Sequence, residues 1–270
     1  MSWHRVNQKT PCLVCGRADW CGYTTDGAHR CMRVSLAPEG MRVIQSDASG
    51  GYTYRVIGEV VSPSMAVRVP PLAPTINWEP VVQAFHADGF GYLRNLASEL
   101  NVTEDSLIDM RVGWSDRHGA WTFPMWQYGK ISGVRLRRPD GKKLCITGSK
   151  EGVFYAPTLV QPEEIYVVEG ASDTAALLSI GIYAVGRPAA LGGLDALARI
   201  VGAKRVTIIA DADEAGRRGA SVTLRRLSGV AAGTRVIEPQ RGAKDVREWI
   251  QKGATAERIR WVADGAIYET

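Results

Sequence analysis

The stretch Ile165-Tyr-Val-Val-Glu169-Gly-Ala-Ser-Asp173 decides how the chain is read. It opens as a short, wholly apolar run, which suits a strand covered on both faces. It then turns at Gly170 and carries acids on either side of the turn. A related plan recurs in Val206-Thr-Ile-Ile-Ala-Asp211-Ala-Asp213-Glu-Ala-Gly216. Strands are expected over 165–168, 182–185, 206–210 and 235–237. Helices are expected between them, over 172–179, 194–201 and 214–227, and 246–261 also has helical character. Strands alternating with helices imply a parallel α/β sheet.

Carboxylates at the C-terminal strand ends of such a sheet face the crevice where ligands bind. Glu169, Asp211 and Asp213 converge there if their strands are neighbours. Several hard oxygen ligands on one edge suit Mg²⁺, and their mutual repulsion is costly without a cation. Asp173 falls on the first turn of a helix, where a negative charge complements the dipole. Lys244-Asp245 follows the last strand and completes the set. Any one of these acids alone reads as a helix cap or loop residue. Their order and their placement at strand ends point to a metal cleft.

Upstream, 79–100 has helical spacing at Val82, Phe85, Tyr92, Leu96 and Leu100. Residues 120–154 read as antiparallel strands, with turns at Gly119, Gly129 and Asp140-Gly141. This region is strongly basic. Lys130, Arg135, Arg137, Arg138, Lys142, Lys143 and Lys150 stand against Asp140 alone, within a chain of net charge +5. Such a patch attracts phosphates by counterion release, or is a solvated charged face. Cys145 lies in a strand-like segment and is expected to be a small buried hydrophobe.

Four of the five cysteines, Cys12, Cys15, Cys21 and Cys31, fall close together near the N-terminus. Cys12-Leu-Val-Cys15 is a metal knuckle. A hairpin centred on Asp26 would put Cys21 and Cys31 opposite one another. The four thiolates would close one tetrahedral zinc site, replacing the core that so short a module lacks. Cys21 is the expected fourth ligand and His29 its competitor. Trp20 and Tyr23 would stack on unpaired bases or pack the small core. Five prolines between Val61 and Pro80 stiffen a linker. The chain therefore divides into a zinc module at 1–60, a linker at 61–78, a basic α+β region at 79–160 and the α/β region at 161–270. No apolar run is long enough to cross a membrane, and the polar N-terminus is no secretory signal. A cytoplasmic protein is expected.

The acidic residues carry a resemblance. Glu169-Gly-x-x-Asp173 and Asp211-x-Asp213 resemble the two acidic motifs of the TOPRIM fold. That fold is shared by bacterial-type primases, topoisomerases, recombination mediators and some nucleases. The longer likeness is to DnaG-type primases and phage primase–helicases. Asp211-Ala-Asp213-Glu-Ala-Gly216-Arg217 is similar to their second acidic motif. Gly242-Ala-Lys244-Asp245-Val-Arg-Glu248 is similar to their K-D-x-x-E segment. Phe123-Pro124, Gly133-Val-Arg135 and the run 142–154 resemble the basic subdomain that precedes TOPRIM. The N-terminal ribbon stands in the same order, though its second half lacks a C-x2-C pair.

The resemblance implies a DNA primase that copies single-stranded DNA into short RNA primers. Glu169, Asp211 and Asp213 would hold two Mg²⁺ or Mn²⁺ ions, and Glu169 would accept the attacking hydroxyl's proton. Asp173, Lys244 and Asp245 would support the site. Arg135, Arg137, Lys142, Lys143 and Lys150 would bind template and ribonucleoside triphosphates. One structural zinc in the ribbon would help to choose where synthesis begins. No helicase region follows Thr270, so a separate helicase or single-strand-binding protein is the expected partner of a monomer. A phage, plasmid or other mobile element is the expected setting. The alternatives are a TOPRIM nuclease and a non-catalytic recombination or replication factor that binds DNA.

Overall fold

A computed structural model describes residues 3–46, 51–57 and 76–269. The proline-rich stretch expected as a linker lies, apart from 76–78, outside the described residues. Two compact units are present. One comprises Met1–Ile76 with Thr147–Lys150, the other Asn77–Ile146 with Glu151–Thr270.

The smaller unit is a five-stranded sheet of β1 (His4–Arg5), β2 (Gly22–Tyr23), β3 (His29–Cys31), β4 (Met41–Ser46) and β5 (Tyr52–Val56), in the order β1-β2-β3-β5-β4. The β2–β3 hairpin pairs Tyr23 with His29 and Gly22 with Arg30, which centres it on Asp26 as expected. Its core is small and contains Val6, Cys12, Cys21, Cys31 and Tyr54. So few apolar side chains cannot hold a sheet without a further crosslink.

The larger unit begins with α1 (Trp78–Gly89), α2 (Leu93–Leu100) and α3 (Glu104–Asp109). The single helix expected over 79–100 is thus two. Gly89 and Gly91 interrupt it with a 3-10 turn over Phe90–Tyr92, glycine being a weak helix former. An antiparallel sheet follows, β6 (Gly113–Ser115), β7 (Ala120–Gln127), β8 (Lys130–Arg137) and β9 (Lys143–Cys145), paired in that order. Helix α1 covers one face, where Trp78 and Val82 meet Ala120, Val134 and Leu136. Leu93, Leu96, Leu107, Trp121 and Phe123 fill the other.

The parallel sheet comprises β10 (Glu164–Glu169), β11 (Ala184–Arg187), β12 (Arg205–Ile209) and β13 (Gly233–Ile237), in the order β11-β10-β12-β13. The intervening helices are α4 (Ala171–Ser179), α5 (Leu194–Val201) and α6 (Glu214–Leu227). The segment expected as one terminal helix is α7 (Val246–Gln251) and α8 (Ala256–Asp264). Gly253 breaks it at φ +90, and the Thr255 side chain caps the second piece. Ile165, Val167, Leu197, Ile208 and Leu227 form the core on one face. Tyr166, Val168, Leu177, Trp249 and Ile259 form it on the other. Burial on both faces explains the continuous apolar runs. The two sheets are joined by residues 153–154, which bridge Trp126 on one side and Gly186 on the other.

The chain passes from β10 to β11 on one side, then crosses back to β12 on the other. This reversal opens a crevice at the C-terminal ends of β10 and β12. Glu169 and Asp211 stand at its rim.

Candidate functional site

Glu169 ends β10, and Gly170 turns the chain at φ +94 into α4. That backbone region favours glycine. Asp173, on the first turn of α4, is 7% exposed. Its Oδ1 accepts the Arg247 backbone N–H at 3.3 Å, tying α4 to α7. Burial, with Asp245 and Asp211 nearby, pushes its carboxyl up to about 8.

Asp211 and Asp213 follow β12. Gly216 packs directly against Asp211: a Cβ there would come within 2.6 Å of the Asp211 Cβ. This explains the glycine of Asp213-Glu-Ala-Gly216 as a close approach. The Asp213 side chain caps α6, accepting the Gly216 N–H at 2.7 Å. Asp245 caps α7 through the Glu248 N–H at 2.8 Å, and Glu248 in turn accepts the Lys244 N–H at 2.8 Å. The two acidic loops are pinned together where Ala212 N–H donates to the Lys244 carbonyl at 2.7 Å. Burial pushes the Asp211 carboxyl up to about 6. Glu169, Asp245 and Asp213 push the same way, and Lys244 opposes them.

The structure therefore gathers Glu169, Asp173, Asp211, Asp213, Lys244 and Asp245 at one sheet edge. It does not draw the carboxylates into a closed shell. Among the described residues, the group whose ligand atoms all lie within 4.8 Å of one another is the cysteine cluster. Crowded carboxylates with elevated proton affinity fit a hard divalent cation, which takes oxygen ligands and cancels their repulsion. Two surface concavities, one lined by Gln240, Trp261 and Asp264 and one by Leu159, Tyr166 and Arg260, include no residue of this cluster.

The basic residues divide. On β8, Arg135 and Arg137 share a face, opposite Cys145 and Lys143 of β9. Arg135 reaches the loop after β11, donating to the Pro188 carbonyl at 3.2 Å, so it borders the acidic crevice. Arg137 is paired at 2.9 Å with Glu99 of α2, an acid the sequence count of neighbouring charges did not include. Lys143 is exposed. Lys142 pairs with Asp140 in the turn at 3.3 Å. Lys150 groups with the smaller unit. Cys145 corrects the expectation of burial. It lies on an edge strand whose residues are all exposed.

Sequence reading also missed Arg187. It ends β11 directly beside Glu169 and is 1% exposed. The available signal was a charged residue closing a buried apolar strand.

In the smaller unit, Cys12, Cys15, Cys21 and Cys31 come together, and His29 stands outside the group. The Cys15–Cys21 and Cys21–Cys31 sulfur separations are 3.7 and 4.0 Å. A tetrahedral zinc with Zn–S bonds of about 2.3 Å sets its sulfurs about 3.8 Å apart. The cluster thus fits zinc. Its hydrogen bond with Cys31 takes the Cys12 thiol down to about 4, while burial takes Cys21 up to about 11. Arg33 donates to the Cys21 sulfur at 3.6 Å and to Asp19, a supporting contact around the ligands. Trp20 is 68% exposed, whereas Tyr23 packs on the core and stacks on His4.

Solved structures place this architecture. The chain is similar to the DnaG catalytic core at TM-score 0.57 and 16% identity, covering 71% of this chain and 79% of that one. It is similar to a DnaG primase catalytic domain bound to single-stranded DNA at TM-score 0.55 and 17% identity, covering 70% and 77%. It has the fold of a DnaG primase core. The Aquifex aeolicus primase, comprising zinc-binding and RNA polymerase domains, is similar at TM-score 0.55 and 17% identity, covering 70% of this chain and 60% of that one. No family model and no curated protein matches the chain. Among the described residues, no helix is long and apolar enough to cross a membrane.

Proposed function

We propose that the chain is a DNA primase, making short RNA primers on single-stranded DNA by metal-dependent nucleotidyl transfer. The observation that carries this reading is the pairing, within a primase-core fold, of an acidic cluster at the sheet's switch point with Arg135 on its border. In this reading Glu169, Asp211 and Asp213 hold two divalent cations. Bound there, magnesium or manganese lowers the pKa of the attacking hydroxyl and neutralises charge on the triphosphate.

The chain's own residues do the rest. Glu169 accepts the proton of the primer 3′-hydroxyl. Asp173 and Asp245 fix α4 and α7 beneath the site. Lys244 and Arg135 face the incoming nucleotide's phosphates, where a guanidinium offers bidentate contacts and an ammonium a point charge. Lys143 extends the basic path along the template, with Lys142 at its outer end and Arg137 held in reserve by Glu99. Lys150 and Trp20 contribute from the smaller unit, whose zinc-held cysteines keep a DNA-reading surface folded. A separate helicase or single-strand-binding protein recruits the enzyme.

The test is template-directed synthesis: mixed single-stranded DNA, labelled ribonucleotides and Mg²⁺ or Mn²⁺, with products resolved on a gel. Short metal-dependent oligomers are expected. Asp211→Ala is expected to lower synthesis by about 100-fold or more while DNA binding persists. Synthesis that survives in Asp211→Ala would refute the metal assignment. Cleavage of template without nucleotides would identify a TOPRIM nuclease instead. DNA binding with neither reaction, even with a helicase added, would identify a binding factor.

A further inference from the structure

We infer that Arg187 is a positioning residue: a fixed internal cation that sets how tightly the acidic cluster holds divalent metal. The inference rests on the metal reading of Glu169, Asp211 and Asp213 given above.

Strand β11 runs Ala184-Val-Gly-Arg187, an apolar strand that ends on a charge. Arg187 is the register partner of Glu169, and the Gly170 N–H donates to its carbonyl at 2.7 Å. Paired residues of neighbouring strands present their side chains to the same face. The guanidinium therefore lies on the Glu169 face of the sheet.

It is buried there at 1% exposure. A buried cation is costly unless it is compensated. Its hydrogen bonds are to neutral groups, the Ala190 carbonyl and the Gly219 carbonyl, the latter at 3.5 Å. Among the described residues Nε has no hydrogen-bond partner. Among the described residues no carboxylate lies within ion-pair distance of it. Burial lowers the proton affinity of the guanidinium, and Glu169 and Asp211 oppose that in part by favouring its charged form.

Its anchors explain how it acts. Ala190 lies in the loop that Arg135 touches, and Gly219 lies on α6, whose N-cap is Asp213. Arg187 thus fixes the loop and the helix relative to β10, and its charge sits behind the ligands. Arg187 therefore offsets one of the negative charges that Glu169, Asp211 and Asp213 present to a cation. A second ion would then depend for most of its affinity on the nucleotide's phosphates.

The test uses the full, zinc-loaded chain without nucleotide. Mn²⁺ binding is measured by the electron paramagnetic resonance of free Mn²⁺, with folding checked by circular dichroism. Arg187→Met is expected to bind Mn²⁺ about tenfold more tightly, and Arg187→Lys, which keeps the charge, to stay near wild type. The metal optimum for synthesis should fall in Arg187→Met as well. Should that variant fail to fold, Arg187→Gln, which retains a donor toward the Ala190 carbonyl, gives the same comparison. Unchanged or weaker Mn²⁺ binding in the folded neutral variant would overturn the inference, as would equal tightening in Arg187→Lys. If the wild-type chain bound no Mn²⁺ and made no primers, the primase reading itself would fall. If it made primers and only the Arg187 variants were silent, this inference alone would fall.

Discussion

The cysteine cluster and the acidic cluster solve opposite problems. The four sulfurs stand within 4.8 Å of one another, and the Cys15–Cys21 and Cys21–Cys31 separations of 3.7 and 4.0 Å are close to those a zinc ion would impose. The carboxylates gather at one sheet edge but stay apart, and Asp213 and Asp245 each commit an oxygen to capping a helix. The difference follows from what each unit has besides its ligands. The smaller unit has a thin core, so its ligands are its core. The larger unit has two well-filled apolar layers. It can hold its acids in a repulsive, open arrangement. A closed site holds a fold together, and an open one can exchange ions during a reaction.

The largest expected effect follows from the first half of that contrast. Cys21→Ser, or removal of metal by a chelator, should unfold the smaller unit and leave the larger one intact. Structural zinc contributes on the order of 10 kcal/mol in comparable small modules. In ¹H–¹⁵N spectra of the full chain, signals from 3–57 should collapse while those of the parallel sheet persist. Metal analysis should give about one zinc per chain before treatment, the number a single four-ligand site holds. Persistence of both sets of signals after complete metal removal would show that the ribbon does not depend on its metal.

A smaller effect tests the second half. Asp211 and Asp173 are held at about 6 and about 8, above their ordinary 3.8, by burial and neighbouring acids. A carboxyl raised in this way binds its proton more readily folded than unfolded. Its contribution is therefore complete below the unfolded value and is lost as pH rises through 6 and then 8. Metal-free protein should be less stable at pH 8.5 than at pH 5, by up to about 5 kcal/mol from these two groups. Mg²⁺ should restore stability at pH 8.5 and do little at pH 5. Thermal melts with and without Mg²⁺ check both signs. A melting temperature that rises with pH across this window in metal-free protein would contradict the electrostatics.

Much of this was legible in the residues, and what escaped has a physical cause. The strand–helix alternation places helices at Leu194–Val201 and Glu214–Leu227, with the ends the structure has. The neighbouring placement of β10 and β12 was legible only as a condition, since pairing is a long-range property. The Asp26-centred hairpin and the gathering of Cys21 with Cys31 followed from spacing alone. The break at Gly253 escaped because apolar spacing continues across it into a second helix on the same core. Cys145 was misread because a strand pattern does not reveal that its strand is an edge. Arg187 escaped because charge inside a sheet is visible only once a register partner, here Glu169, is known. Arg137 was counted as available because Glu99 is distant in sequence and adjacent only through the packing of α2 on β7 and β8.

That last pair gives the smallest and sharpest expectation. The Arg137–Glu99 pair is half exposed on the acid's side, so breaking it should cost under about 1 kcal/mol of stability. Its effect should appear in DNA binding instead. Each phosphate neutralised adds about 0.9 to the slope of log affinity against log salt for duplexes, and about 0.7 for single strands. While Glu99 neutralises Arg137, Arg137→Gln should change the single-strand slope little. In a Glu99→Gln background Arg137 is released, the slope should steepen by nearly one ion, and affinity at low salt should rise a few-fold. Adding Arg137→Gln to that background should then reverse both changes. Salt titrations of fluorescent oligonucleotide binding across the four proteins measure this directly. If Arg137→Gln alone reduced the slope by a full ion, Arg137 would already contact phosphate in the wild type. The pair with Glu99 would then be one that DNA displaces, and the basic path would be wider in the complex than in the free chain.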